Sequence, residues 1–128
     1  MIDNHAAIKT TDAGDLDQLV ALFKLLADRT RLTILLMLSE GERNVSTLCG
    51  LLNLPQPTVS HHLALMRMSN IITSRRNGKQ VFYSLNSRVE RPQTNQLVVT
   101  AARFSVTIDP RGTQGEGQLF VSSNVPVN

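Results

Sequence analysis

LPQPTVSHHLALMRMSNIITSRRNGKQVFYSL, running from Leu54 to Leu85, decides how this chain is to be read. Its first part predicts a helix from Gln56 to Met68. Pro55 and Pro57 lack an N–H, which a helix tolerates only in its first turn. At roughly 100° per residue, Val59, Leu63 and Met66 share one face. Pro57, Thr58, His61, Ala64, Leu65 and Met68 share the other. That outer face carries no Glu or Lys. It is small, polar or weakly apolar, a composition suited to base edges and thymine methyls. A break at Ser69-Asn70 follows, then a hairpin. Its strands are expected over Ile71–Arg76 and Lys79–Leu85, with the turn at Asn77-Gly78, because Asn-Gly supplies the positive φ of a tight turn. Arg75, Arg76 and Lys79 gather at the tip.

A helix with an uncharged outer face, joined to a hairpin with a cationic tip, has the layout of a winged helix-turn-helix. The helix would read the major groove, and the wing would meet phosphates or the minor groove. The same pattern also fits an ordinary helix–hairpin unit whose basic turn is merely solvated.

Upstream residues supply three more helices. One is expected from Leu16 to Ala27, capped by Asp15, with Leu16, Leu19, Val20, Phe23 and Leu26 on an apolar stripe that Leu22 and Leu25 widen. So broad a stripe is either buried between helices or meets, in part, a second copy of the chain. A second helix from Arg29 to Ser39, capped by Asp28 and ended by Gly41, is apolar almost all round and belongs at the centre of the core. A third, Thr47 to Leu52, is short, with Ser46 as its cap. The tight Asn53-Leu54-Pro55 connection then makes a helix-turn-helix.

The bulk numbers fit this reading. The chain has 128 residues, 41% of them hydrophobic, and a net charge of +3. That suffices for one cored domain with an extension, and the mild positive charge is compatible with nucleic acid. Cys49 is the single cysteine, so an intrachain disulfide or a cysteine-rich zinc site cannot be built from one chain. No secretory leader or membrane-length apolar run is evident, and a cytoplasmic protein without membrane contact is expected. A Gly-rich phosphate loop, a His-x-x-x-His or Cys-x-x-Cys pair and a credible nucleophile–base pairing are all missing, so no enzyme is expected.

Four segments together resemble the ArsR/SmtB family of bacterial repressors: Leu26-Ala27-Asp28-Arg29-Thr30-Arg31-Leu32, Ile34-Leu35, Gln56-Pro57-Thr58-Val59-Ser60-His61-His62-Leu63, and Gly78-Lys79-Gln80-Val81-Phe82-Tyr83-Ser84-Leu85. The resemblance covers Asp15 to Leu85. It implies a homodimeric winged-helix repressor that binds a double-stranded operator of two half-sites and is released by a signal. It puts Gln56, Thr58, Ser60 and His61 at the DNA, with wing contacts from Arg75, Arg76, Asn77 and Lys79. Arg67 is a further candidate phosphate contact. The first helix, with Leu16, Leu19, Val20 and Phe23, would form the dimer interface together with a C-terminal helix.

The chain departs from that family in two ways. Metal-sensing members carry a Cys-x-Cys box where Asn44 and Ser46 stand here, and soft metals need several thiolates. Other members bind zinc through a C-terminal helix, yet no histidine follows His62. His61 and His62 point about 100° apart and do not converge on one ion. No metal or cofactor is therefore expected, and the effector stays unspecified. The second departure is the region after Asn86, where the family has a long helix. Pro92 interrupts Ser87-Arg88-Val89-Glu90-Arg91. A helix could resume over Thr94–Phe104, but Val98, Val99 and Thr100 are β-branched, and Phe104, Val106 and Ile108 alternate as in a strand. Asp109–Gly117 is turn-rich, and Gln118–Ser123 fits a returning strand.

The expected organisation is thus an N-terminal arm (1–14), a mainly α winged helix-turn-helix with a β-hairpin wing (15–86), and a C-terminal extension of helix, hairpin or both (87–128). The expected function is that of a DNA-binding regulator, with a protein-binding winged-helix module as the alternative.

Overall fold

The computed structural model describes residues 13–92 and 96–109 in full, and 118–123 as backbone. The expected N-terminal arm falls outside these residues except for Ala13 and Gly14, which open the first helix. Most of the turn-rich Asp109–Gly117 stretch also lies outside them.

Four helices come first: α1 (Ala13–Leu26), α2 (Arg29–Ser39), α3 (Val45–Leu52) and α4 (Gln56–Met68). Helix α1 starts earlier than expected, so Asp15 is a first-turn acid and not its cap. Its carboxylate lies 3.0 Å from Nε of Arg103. Asp28 does cap α2, its Oδ1 accepting from the Arg31 N–H at 3.0 Å. The cap of α3 is Asn44, which accepts from the Thr47 N–H at 2.8 Å, and Ser46 is an exposed first-turn residue. The cause is tertiary. Arg43–Asn44 forms a short strand, β1, and so Asn44 is held at φ −85 and ψ 166, the extended conformation a cap requires. Asn53, at φ 55 and ψ 47, closes α3 in the left-handed region that asparagine tolerates.

The wing is β2 (Ile72–Asn77) and β3 (Gln80–Leu85). Strand β3 is the centre of a three-stranded antiparallel sheet, with β1 on its other side. Asn77 pairs with Gln80, so the turn is Gly78-Lys79, one residue later than expected. Gly78 supplies the positive φ of +65, and neither Asn77 nor Lys79 has a positive φ. One left-handed position satisfies this turn, and the glycine takes it.

The C-terminal region carries no helix among its described residues. Four strands, β4 (Val89–Glu90), β5 (Leu97–Ala101), β6 (Phe104–Asp109) and β7 (Gln118–Ser123), form an antiparallel meander. The helix the resemblance implies here is replaced by sheet, as the β-branched run and the alternation allow. Leu97, Val99 and Ala101 point inward on β5 while Val98 and Thr100 are half-exposed. Pairing of Ala101 with Phe104 leaves a two-residue turn, Ala102-Arg103, with Ala102 at φ +56.

One apolar core joins both halves. Leu22, Leu25 and Leu26 of α1, Ile34, Leu35 and Leu38 of α2, Leu48 of α3, and Val59, Leu63 and Met66 of α4 are buried in it. Val89, Leu97, Val99 and Val106 of the C-terminal sheet complete the same cluster. No helix among the described residues is long and apolar enough to cross a membrane.

Candidate nucleic-acid interface

Helix α4 is amphipathic in the way its sequence requires. Val59, Leu63 and Met66 have no exposed surface. Gln56, Pro57, Thr58, His61, Ala64, Arg67 and Met68 are exposed, while Ser60, His62 and Leu65 are half-buried. Leu65 packs against the core and does not belong to the outer face. Pro55 precedes the helix and offers no side-chain cap. The exposed face holds no acidic residue, and Arg67 lies in the last turn.

The helix is held by a network that the sequence did not announce. Arg31, on α2, donates from Nε to the Leu25 carbonyl at the end of α1. Its Nη1 lies 3.1 Å from Nδ1 of His62 on α4. Asp28 is 3.8 Å from Arg31 and 3.9 Å from His62. Because Arg31 can only donate, His62 Nδ1 accepts, which puts the ring proton of the neutral histidine on Nε2. Three helices are thereby tied at one point, and His62 turns inward while His61 stays exposed. Accepting the Arg31 N–H, beside the Arg31 charge, holds the Asp28 carboxyl below its usual range. The only sequence signal for this network is the three-residue spacing of Asp28 and Arg31.

At the wing, Arg75, Arg76, Asn77 and Lys79 are all exposed. They are not equivalent. The Arg75 guanidinium stacks 4.7 Å over the Phe82 ring, its cross-strand neighbour. It also forks onto Glu42, with Nε at 2.8 Å from Oε2 and Nη2 at 2.5 Å from Oε1. Glu42 just precedes β1, so the contact spans the three-stranded sheet. Arg76 and Lys79 have no carboxylate partner among the described residues.

The remaining candidates lie on α1. Leu16 and Val20 are 41% and 48% exposed. Leu19 and Phe23 are half-buried and pack against the core. The outward apolar face is thus narrower than the sequence stripe suggested. Among the described residues, no cluster of three or more histidine, cysteine or acidic side chains could hold a metal ion.

Comparison with known proteins places this architecture. Residues 28–74 match the model of the bacterial regulatory proteins of the arsR family. The transcriptional repressor SdpR of Bacillus subtilis (strain 168) is 31% identical over 77 residues, which are 60% of this chain and 86% of SdpR. The chain belongs to the ArsR family. The arsenical resistance operon repressor of Escherichia coli (strain K12) is 49% identical over 71 residues, 55% of this chain. That match spans only 61% of the repressor's length. The crystal structure of the transcriptional repressor BigR from Xylella fastidiosa superposes with a TM-score of 0.56 at 32% identity, covering 67% of this chain and 83% of that one. The chain thus carries the winged helix-turn-helix of the ArsR family of bacterial regulatory proteins.

Proposed function

We propose that this chain is a dimeric repressor that binds double-stranded operator DNA and does so without the family's cysteine metal site. The observation carrying this is the exposed face of α4. It has no acidic residue, while its opposite face is fully buried and its orientation is fixed by the Arg31–His62 contact. Gln56, Thr58, Ser60 and His61 would meet base edges, where a good bidentate contact discriminates by about 1–3 kcal/mol. Arg67, Arg76 and Lys79 would meet phosphates, with Asn77 beside them at the tip. Leu16 and Val20 would face the second copy, with Leu19 and Phe23 supporting them from the core side. Two reading helices set about one turn of DNA apart would then occlude a promoter. At the position of the cysteine box, Asn44 serves as a helix cap and Ser46 is a hydroxyl, so soft-metal sensing has no thiolates there.

Fluorescence-anisotropy binding to a pool of random duplex DNA at two salt concentrations tests this, with light scattering on the same sample. Salt-sensitive binding by a dimer is expected. Folded protein that fails to bind at low salt would reject the reading. One observation favours a second reading, a protein-binding winged helix: Glu42 neutralises Arg75, one of the cations the wing would offer to DNA.

A further inference from the structure

Arg88 sits between β3 and β4, where the chain leaves the wing for the C-terminal sheet. It is half-buried. Its Nε donates to the Thr100 carbonyl at 2.8 Å, and its Nη1 donates to the Ser69 carbonyl at the end of α4. These bonds use one proton of Nε and one of Nη1. A guanidinium has five N–H donors, so three remain. Burial pulls Arg88 below its ordinary value, and no carboxylate among the described residues acts on it to offset that cost. The other cations with buried or half-buried side chains in the helical half differ, since Arg31 and Arg43 each have an acidic neighbour.

Arg88 also lines a cleft of about 230 Å³ together with Gln18, Ala21, Leu22, Leu25, Ser69 and Asn70. The four α1 residues follow the i, i+3, i+4, i+7 spacing of one helix face. Leu16 and Val20 lie on the opposite face, so a partner docked there would leave the cleft open. Among the described residues no acidic side chain lines it. One wall is apolar (Ala21, Leu22, Leu25), and the other offers a cation with spare donors beside the amides of Gln18 and Asn70.

We propose that this cleft is a binding site for a small carboxylate with a short apolar tail. The carboxylate accepts from the free edge of Arg88, which suits that group because two oxygens match the guanidinium fork. The tail lies along Ala21, Leu22 and Leu25. An inorganic anion would leave that wall unused, and a neutral apolar molecule would leave Arg88 uncompensated. Resting on the regulator reading, the ligand also acts as an effector, because Arg88 holds the C-terminal carbonyl of the reading helix and a bound carboxylate draws on the same guanidinium.

Titration calorimetry of the full chain with hexanoate, without DNA, tests the site. Hexanoate should bind at least tenfold more tightly than acetate. Gln18→Glu, which sets a competing carboxylate at the cleft, and Ala21→Phe, which fills it, should each weaken hexanoate at least tenfold. Both positions are exposed, and both variants should keep the native circular-dichroism spectrum. Equal affinity for acetate and hexanoate, or variants that bind hexanoate as the parent does, would overturn the site. Saturating hexanoate should then change the affinity for duplex DNA at least threefold in the parent and leave that of Gln18→Glu unchanged. Hexanoate-bound protein with unaltered duplex affinity would remove the effector role. Protein that takes hexanoate but binds no duplex would fault the regulator reading and leave the site standing.

Discussion

Glu42 grips Arg75 through two hydrogen bonds, at 2.8 and 2.5 Å, across the width of the wing sheet. The sequence places Arg75 in a cationic tip with Arg76 and Lys79. In the folded chain it is instead the one member of that group already holding an anion. A phosphate must compete with Glu42 for it.

Replacing Glu42 should therefore strengthen DNA binding. Glu42→Gln releases the Arg75 fork and removes a negative charge from the wing. The affinity for random duplex should rise, and the slope of log K against log salt should steepen by about one unit. Anisotropy titrations over a salt series check this. An unchanged slope would show that Arg75 serves the wing's shape and never reaches the DNA.

Arg76 and Lys79 should behave differently. Changing both to Ala should weaken binding to all sequences alike and flatten the salt slope by about two units, each phosphate contact contributing about 0.9. Arg75→Ala alone should change the slope less than either. If instead discrimination between sequences collapses, the wing is reading bases.

His61→Ala should mainly relax specificity. The residue is exposed on the reading helix and has no hydrogen bond or ion pair among the described residues, so stability should hold within about 0.5 kcal/mol. The preference for a selected operator over its single-base variants should fall by about 1–3 kcal/mol at one position. An equal loss on every duplex would assign His61 to the backbone.

Acid should loosen the fold through two carboxylates. Asp28 is depressed by the Arg31 N–H it accepts and by nearby positive charge, and Glu42 by its bonds to Arg75. Each group contributes stability that is complete above its ordinary value, 3.8 for Asp28 and 4.5 for Glu42, and fades as pH falls through its lowered folded value. Thermal melts between pH 7 and pH 2 should show this fall. Asp28→Ala should lower stability at neutral pH by about 1 kcal/mol, the usual worth of a helix cap, and should shrink the acid-dependent part. A melt whose pH dependence survives both Asp28→Ala and Glu42→Gln would place the titrating groups elsewhere.

Leu16→Glu with Val20→Glu should give folded monomer. Both side chains are already largely in solvent within one chain, so the charges meet no core. Light scattering should report half the parent mass with an unchanged circular-dichroism spectrum. A persisting dimer would move the interface away from α1.

The winged helix was legible because its signals are local. Val59, Leu63 and Met66 mark the buried face of α4 by spacing alone, and Gly78 marks the wing turn to within a residue. What escaped notice depends on distant partners. Asn44 becomes the α3 cap only because Arg43 and Asn44 pair with Tyr83 and Phe82. The fate of Arg75 is settled by Glu42, thirty-three positions away. The contact of His62 with Arg31 joins residues thirty-one positions apart, and no local pattern announces it. After Asn86 the resemblance argued for helix while Val98, Val99 and Thr100 argued for strand. The strand prevailed where burying Leu97, Val99 and Ala101 on one face of β5 requires a period of two.

The same pairing of β1 with β3 bears on the order in which the chain acquires its shape. Every other strand pair joins neighbours along the chain. Arg43 and Tyr83, in contrast, close a loop that contains α3, α4 and β2. Bringing those ends together carries the largest loop-closure entropy of any strand contact in the fold. Two backbone pairs and the Glu42–Arg75 fork then hold it shut. The helices and the hairpin can each form beforehand, and the late step is seating the wing against the helix-turn-helix. Breathing of the native protein should begin at that same seam, so amide exchange at Arg43 and Asn44 should outpace exchange at the centre of β5.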